Sequence, residues 1–128
     1  VIDPGKAPVP KHSHRANEEM FFVVDGVGEL RIGDTAHAVR AGDVIACPPG
    51  GPETAHQLFN TGDAPLKILA VSTMEYPEIC EYPDSGKFLA STGMQPGDFR
   101  HIGRPGDGLD YWDGEGDDCN DSATDQRG

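Results

Sequence analysis

The sequence predicts an all-β fold, and three observations carry that expectation. Seventeen glycines and eleven prolines in 128 residues leave little room for long helices. Short runs of β-branched, aromatic and aliphatic residues recur, with turn signals every ~8–12 residues. Within these runs the side-chain character alternates with period two, as for Leu30 and Ile32 against Glu29 and Arg31. A chain of 128 residues is expected to hold one such domain. Strands at this spacing indicate a sandwich or barrel.

Each element follows from its own residues. Pro4, Pro8 and Pro10 make the opening segment extended and irregular. Residues 11–14 read as the end of a strand, and residues 19–25 as a strand of bulky side chains. Asp25-Gly26 turns the chain into a strand over 28–32, and Gly33-Asp34 is a hairpin turn leading to 36–40. Ala41-Gly42-Asp43 turns again, and the short strand 44–47 is stopped by Pro48-Pro49. Residues 56–60 and 66–73 are two further strands around the turn 61–65. Residues 75–112 read as less regular, and residues 113–128 as an acidic, disordered tail. The division is therefore a domain over 1–112 and a tail over 113–128, with no internal repeat.

Charge excludes several classes of function. Ten basic and 22 acidic residues give a net charge of −12, and Asp107 to Asp125 holds eight acidic residues without a lysine or arginine. Such a surface repels phosphate backbones and anionic lipid, so neither nucleic acid nor membrane is expected as a partner. No apolar run approaches the ~20 residues of a membrane span, and no signal peptide is visible. Cys47, Cys80 and Cys119 are an odd number without a CxxC pair, which fits reduced thiols in the cytoplasm.

Three of the five histidines carry the functional reading. His12-Ser13-His14 places two imidazoles one residue apart on a strand, so both point the same way. Glu18-Glu19 follows, and His56 lies beyond Cys47-Pro48-Pro49-Gly50. Imidazole and carboxylate together suit a first-row transition metal or zinc. Residues His12, His14, Glu19 and His56 are the expected ligands. His37 and His101 lie apart from the pattern and are expected to be solvated.

This arrangement resembles the two motifs of the cupin superfamily. His12-x-His14, Glu19 and Gly26 are similar to the first motif, and only Glu19 lies six residues before Gly26. Gly42, Pro48-x-Gly50, His56 and Asn60 are similar to the second, with five residues between Gly50 and His56 where the usual pattern has two. The position of the first motif's leading glycine is taken by Lys6. The resemblance implies a double-stranded β-helix, a jelly-roll-like barrel, here with a loop-rich C-terminal tail. A cupin barrel usually has several strands before the first motif. With His12 so early, those strands are expected from a longer chain or from a partner chain. Residues 69–73, 78–87 and 110–115 are similar to a group of small bacterial cupins described by fold alone. Tyr82-Pro83 is expected to pack over a turn, and Tyr111-Trp112 to pin the tail to the barrel.

Three histidines and one glutamate leave one or two open positions on a five- or six-coordinate ion, as catalysis requires. Iron, manganese, nickel and zinc all suit this donor set. The expected function is a metal-dependent enzyme acting on a small polar metabolite such as a carboxylate, sugar or hydroxy acid. Dioxygenase, isomerase and lyase chemistry all occur on the fold. The alternative is a binding or sensing module that uses the metal as an anchor. No general acid or base is evident, and Tyr76, Tyr82 and Tyr111 have no place in the pocket from sequence alone.

Strand 19–25 carries a second expectation. Glu19, Phe21 and Val23 share the inner face, while Met20, Phe22 and Val24 make the outer face apolar too. A homodimer in which these faces meet is the simplest cover, with residues 76–112 as the internal rival.

Overall fold

The computed structural model describes residues 1–116, and the greater part of the acidic tail, with Cys119, lies outside the described residues. Ten strands follow in order: β1 (Ser13–His14), β2 (Glu19–Asp25), β3 (Val27–Ile32), β4 (Thr35–Arg40), β5 (Val44–Cys47), β6 (His56–Phe59), β7 (Lys67–Ser72), β8 (Glu78–Tyr82), β9 (Lys87–Ser91) and β10 (Arg100–Gly103). Short 3₁₀ turns cover Pro52–Thr54 and Pro105–Asp107. The strands form three sheets in the orders β4-β3-β6, β5-β2-β7 and β1-β8-β9-β10, and every pairing is antiparallel.

The first seven strands lie where alternation and turn residues put them. Gly26 reverses the chain between β2 and β3 at φ +97°, a conformation that L side chains rarely adopt. A Cβ there would lie 2.9 Å from the Pro65 carbonyl oxygen, so the turn needs glycine for space as well. The core is Ile2, Val23, Leu30, Val39, Ile45, Cys47, Leu58 and Leu66, with Phe21, Ile32 and Ile68 packed against it. Val23 is fully buried, as the inner face of β2 requires. The opening segment joins this core by an isolated bridge between Ile2 and Leu66.

Residues 75–112 are more regular than their composition suggests. They supply β8, β9 and β10, which pair with β1 rather than covering the outside of β2. Among the described residues nothing covers the outer face of β5-β2-β7. Met20 stands opposite Val71, and Phe22 stands between Val44 and Leu69. With Val24 these large apolar side chains are 39–63% exposed. The internal rival for covering Phe22 is therefore overturned. Among the described residues no helix is long and apolar enough to cross a membrane.

Tyr111 does not pin the tail: it is exposed and touches only its neighbour Trp112 among aromatic rings, at 5.3 Å between centroids. Tyr82 opens the turn that follows β8, its carbonyl accepting from the amides of Ser85 and Gly86.

Candidate metal centre

His12, His14, Glu19 and His56 converge at the junction of the three sheets. His14 is on β1, Glu19 opens β2 and His56 opens β6. His12 and His56 are joined through their backbones, each amide donating to the other's carbonyl at 3.1 and 2.9 Å. The five-residue span from Gly50 to His56 folds into the Pro52–Thr54 turn, and the Gly50 amide donates to the His14 carbonyl. The longer loop is thereby pinned to β1, and His56 stays buried at 3% exposure.

One ligand atom from each of the four residues lies within 4.8 Å of every other. Oε1 of Glu19 is 3.5 Å from Nε2 of His12 and 3.6 Å from Nε2 of His56, and it also contacts Nε2 of His14. Nδ1 of His12 lies 2.8 Å from the Pro10 carbonyl, and Nδ1 of His56 lies 3.4 Å from that of Thr54. A proton on Nδ1, donated to the carbonyl, leaves the Nε2 lone pair aimed at the centre. Glu18 is exposed on the other face, as parity requires.

The chemistry of this cluster fits a cation. Nε2 of His14, Nε2 of His56 and Oε1 of Glu19 are buried without a hydrogen-bond partner. Each such atom costs about 1–3 kcal/mol if left unsatisfied. Four electron-pair donors crowd together, and one cation satisfies them all. Burial alone would raise the Glu19 pKa, but the three imidazoles hold its carboxyl far below the usual range. Burial opposes a charge on His14 as well, yet Cys80 and Glu19 push its pKa up to about 10. Cys47, opposite Glu19 on β5, is pushed up to about 12 by burial and by the Glu19 charge.

The ring of His14 has further neighbours absent from the sequence reading. Its Nδ1 is 3.3 Å from Sγ of Cys80 and 3.4 Å from Oε2 of Glu78. Glu78, Cys80 and His14 form a second group able to hold a metal ion, sharing one residue with the first. Tyr82 also approaches, its ring centroid 6.1 Å from that of His12. Alternation along β8 could have put Glu78, Cys80 and Tyr82 on one face, but nothing local says that this face meets His14.

Other residues fall outside the centre. His37 and His101 are exposed. Asn60 is fully buried, and its amide donates to the carbonyls of Ile2 and Ala64 while its Oδ1 accepts from Gly62. It ties the opening segment to the turn and does not face the pocket. A cavity of about 700 Å³ opens beside the centre, with His12, His14, Glu19, Tyr76 and Glu78 in its wall.

Comparison with known proteins agrees with this architecture. An uncharacterized protein of Methanocaldococcus jannaschii is 35% identical over 65 residues, 51% of this chain and 50% of that protein. The chain spans about half the length of the curated relatives it matches. A crystal structure from Acidithiobacillus ferrooxidans ATCC 23270 superposes with a TM-score of 0.74 at 24% identity, over 85% of this chain and 66% of that one. A sugar phosphate isomerase from a cupin superfamily, from Silicibacter pomeroyi DSS-3, superposes at 0.71 with 27% identity, over 87% of this chain and 68% of that one. The all-β architecture is thus the double-stranded β-helix that the motifs imply. The family model for the cupin domain matches residues 1–72, more than half of the sequence, and the chain belongs to the cupin family.

Proposed function

We propose that the protein is a metal-dependent enzyme for a small polar metabolite, with isomerisation of a sugar phosphate as its reaction. The observation that carries this reading is the convergence of His12, His14, Glu19 and His56 beside a cavity of metabolite size. The likeness to the Silicibacter pomeroyi isomerase supports the reaction class.

His12, His14, Glu19 and His56 would hold one divalent ion, for which iron, manganese, nickel and zinc all suit. Such an ion supplies Lewis-acid polarisation to a carbonyl or hydroxyl oxygen. The chain's own residues shape the rest. Phe21, Ile68, Ala70 and Leu89 line the cavity with apolar surface, which limits water near the centre. Ser72, Ser91 and Gln95 add polar groups able to meet sugar hydroxyls.

The test begins with elemental analysis of protein purified without a chelating tag. About one transition-metal equivalent is expected. The metal-loaded protein is then incubated with aldose and ketose phosphates and followed by NMR, where interconversion is expected. Tight retention of these compounds without turnover would instead establish a binding module.

We further propose that the working form is a homodimer, with the outer faces of β5-β2-β7 in contact. Six large apolar side chains on each copy are of the order needed for a specific interface of ~1,000 Å². Leaving such a patch in water is unusual for a monomer.

A further inference from the structure

The cavity has a second end, marked by Arg100. Arg100 opens β10, two strands from β8 in the sheet that roofs the centre. Glu78 pairs with Ser91, and Ser91 pairs with Arg100, so the three share one face of the sheet. That face is the inner one: Glu78, Cys80, Leu89, Ser91 and Arg100 all line the cavity, whereas Ile79 and Phe88 line a depression on the opposite side. Glu78 touches His14, and two strand spacings separate it from Arg100, roughly 10 Å along the sheet. A small metabolite spans that distance.

Among the described residues the charge of Arg100 has no partner of its own. The side chains of Arg15, Arg31 and Arg104 are engaged by Glu81, by Gln57 with Asp84, and by the Ser85 carbonyl. Arg40 and Arg100 make no side-chain hydrogen bond or ion pair among the described residues, and only Arg100 lines the cavity. Among the described residues no other lysine or arginine is in that wall. The wall's carboxylates are otherwise occupied. Glu19 faces the three imidazoles, and Glu78 accepts the amides of Ala16, Asn17 and Ile79. Asp98 accepts the Gln95 amide at 2.7 Å. In a chain of net charge −12, Arg100 is an exposed guanidinium at the rim of the cavity, open to an anion that enters it. Its planar fork matches an oxyanion through two parallel hydrogen bonds.

We propose that Arg100 is an oxyanion subsite, binding the phosphate or carboxylate end group of a ligand whose other end lies at the His12, His14, Glu19 and His56 cluster. The proposal rests on the cavity being the ligand site, and it names the charged end of that ligand without depending on the reaction. Arg100 acts by binding and orientation.

Inorganic phosphate and acetate are titrated separately into metal-loaded protein at constant ionic strength, with the arginine Nε–H signals followed by NMR. The proteins are wild type, Arg100→Gln, Arg100→Lys and Arg40→Gln, the last an exposed arginine away from the cavity. Phosphate or acetate should perturb Arg100 in wild type, and whichever binds more tightly identifies the end group. Affinity should fall at least tenfold in Arg100→Gln, recover in part in Arg100→Lys and be unchanged in Arg40→Gln. Equal affinity in wild type and Arg100→Gln, or no response of Arg100 to either anion, overturns the subsite. Anion binding that depends on Arg100 in a protein without isomerase turnover keeps the subsite and removes only the reaction class. With turnover present, Arg100→Gln should raise KM for the phosphorylated sugar far more than it lowers kcat. An unchanged KM also overturns the proposal.

Discussion

Oε2 of Glu78 stands 3.4 Å from Nδ1 of His14, and the same carboxylate organises the loop that follows His14. It accepts the amides of Arg15 at 3.0 Å and of Ala16, Asn17 and Ile79 at 2.9 Å, and it also holds the Asn17 side chain. Residues 15–17 link the strand bearing His14 to the strand that opens with Glu19. One buried carboxylate therefore fixes two of the four candidate ligands through backbone hydrogen bonds.

Glu78→Gln places an amide NH₂ among backbone donors and leaves some of them unsatisfied. A loss of about 3 kcal/mol is expected, since each buried group stranded in this way costs about 1–3 kcal/mol. Metal affinity should fall about 10- to 100-fold through the misplaced His14 ring. Urea denaturation and metal titration measure the two effects. A variant as stable as wild type would remove the organising role.

The same carboxylate makes stability depend on pH in a known direction. Burial alone would raise the Glu78 pKa, but the amides of Ala16 and Asn17, the charge of His14 and the Ile79 amide lower it below 4.5. Its contribution is therefore present above that ordinary value and is lost as pH falls through the lower folded value. The stability gap between wild type and Glu78→Gln should begin to narrow as pH falls below 4.5 and go on narrowing until the folded-state value has been passed. A gap constant over that range would contradict this.

Protons and metal compete at His14. In the metal-free protein, burial disfavours the imidazolium, but Cys80 and Glu19 raise its pKa to about 10. The stabilisation from that charge is complete below 6.5 and is lost as pH rises through about 10. A metal needs the neutral ring, so uptake near neutral pH should release about one proton from His14. Calorimetry in buffers of different ionisation heat reads this directly. His14→Ala should lose nearly all bound metal by elemental analysis, and a full equivalent in that variant would exclude His14 as a ligand.

Phe22→Asp should separate the proposed dimer. Phe22 lies at the middle of the bare face between Val44 and Leu69 and is 39% exposed in the single chain, so the variant should fold. Sedimentation velocity at micromolar concentration should show a dimer for wild type and a monomer for the variant. A wild-type monomer would remove the interface.

Gly26→Ala tests the turn that sets β2 against β3. The residue lies at φ +97°, and its Cβ would meet Pro65 O at 2.9 Å and Leu66 Cα at 3.0 Å. A loss of at least about 2 kcal/mol is expected, since both the backbone conformation and the contact are unfavourable. Thermal unfolding measures it, and an unchanged Tm would show that the turn can relax.

The sequence by itself determined the strands from 13 to 72, which are local in origin. His12, His14, Glu19 and His56 were legible as one group through the resemblance to the two cupin motifs, and the tertiary structure brings His56 against His12. Period-two alternation puts His12 and His14 on one side, and parity separates Glu19 from Glu18. Gly26, Gly42 and the Pro48-Pro49 stop fix where strands end. The tertiary structure decided what surrounds the cluster. Glu78 and Cys80 reach it through the pairing of β1 with β8, which joins His14 to Cys80 across 66 residues, and Arg100 reaches the same cavity through the pairing of β10 with β9, Arg100 opposite Ser91. The periodicity of 75–112 is interrupted by turns at 83–86 and 92–99, so composition alone reads it as irregular. The face that a strand turns inward depends on the partner it finds, and only packing supplied that partner.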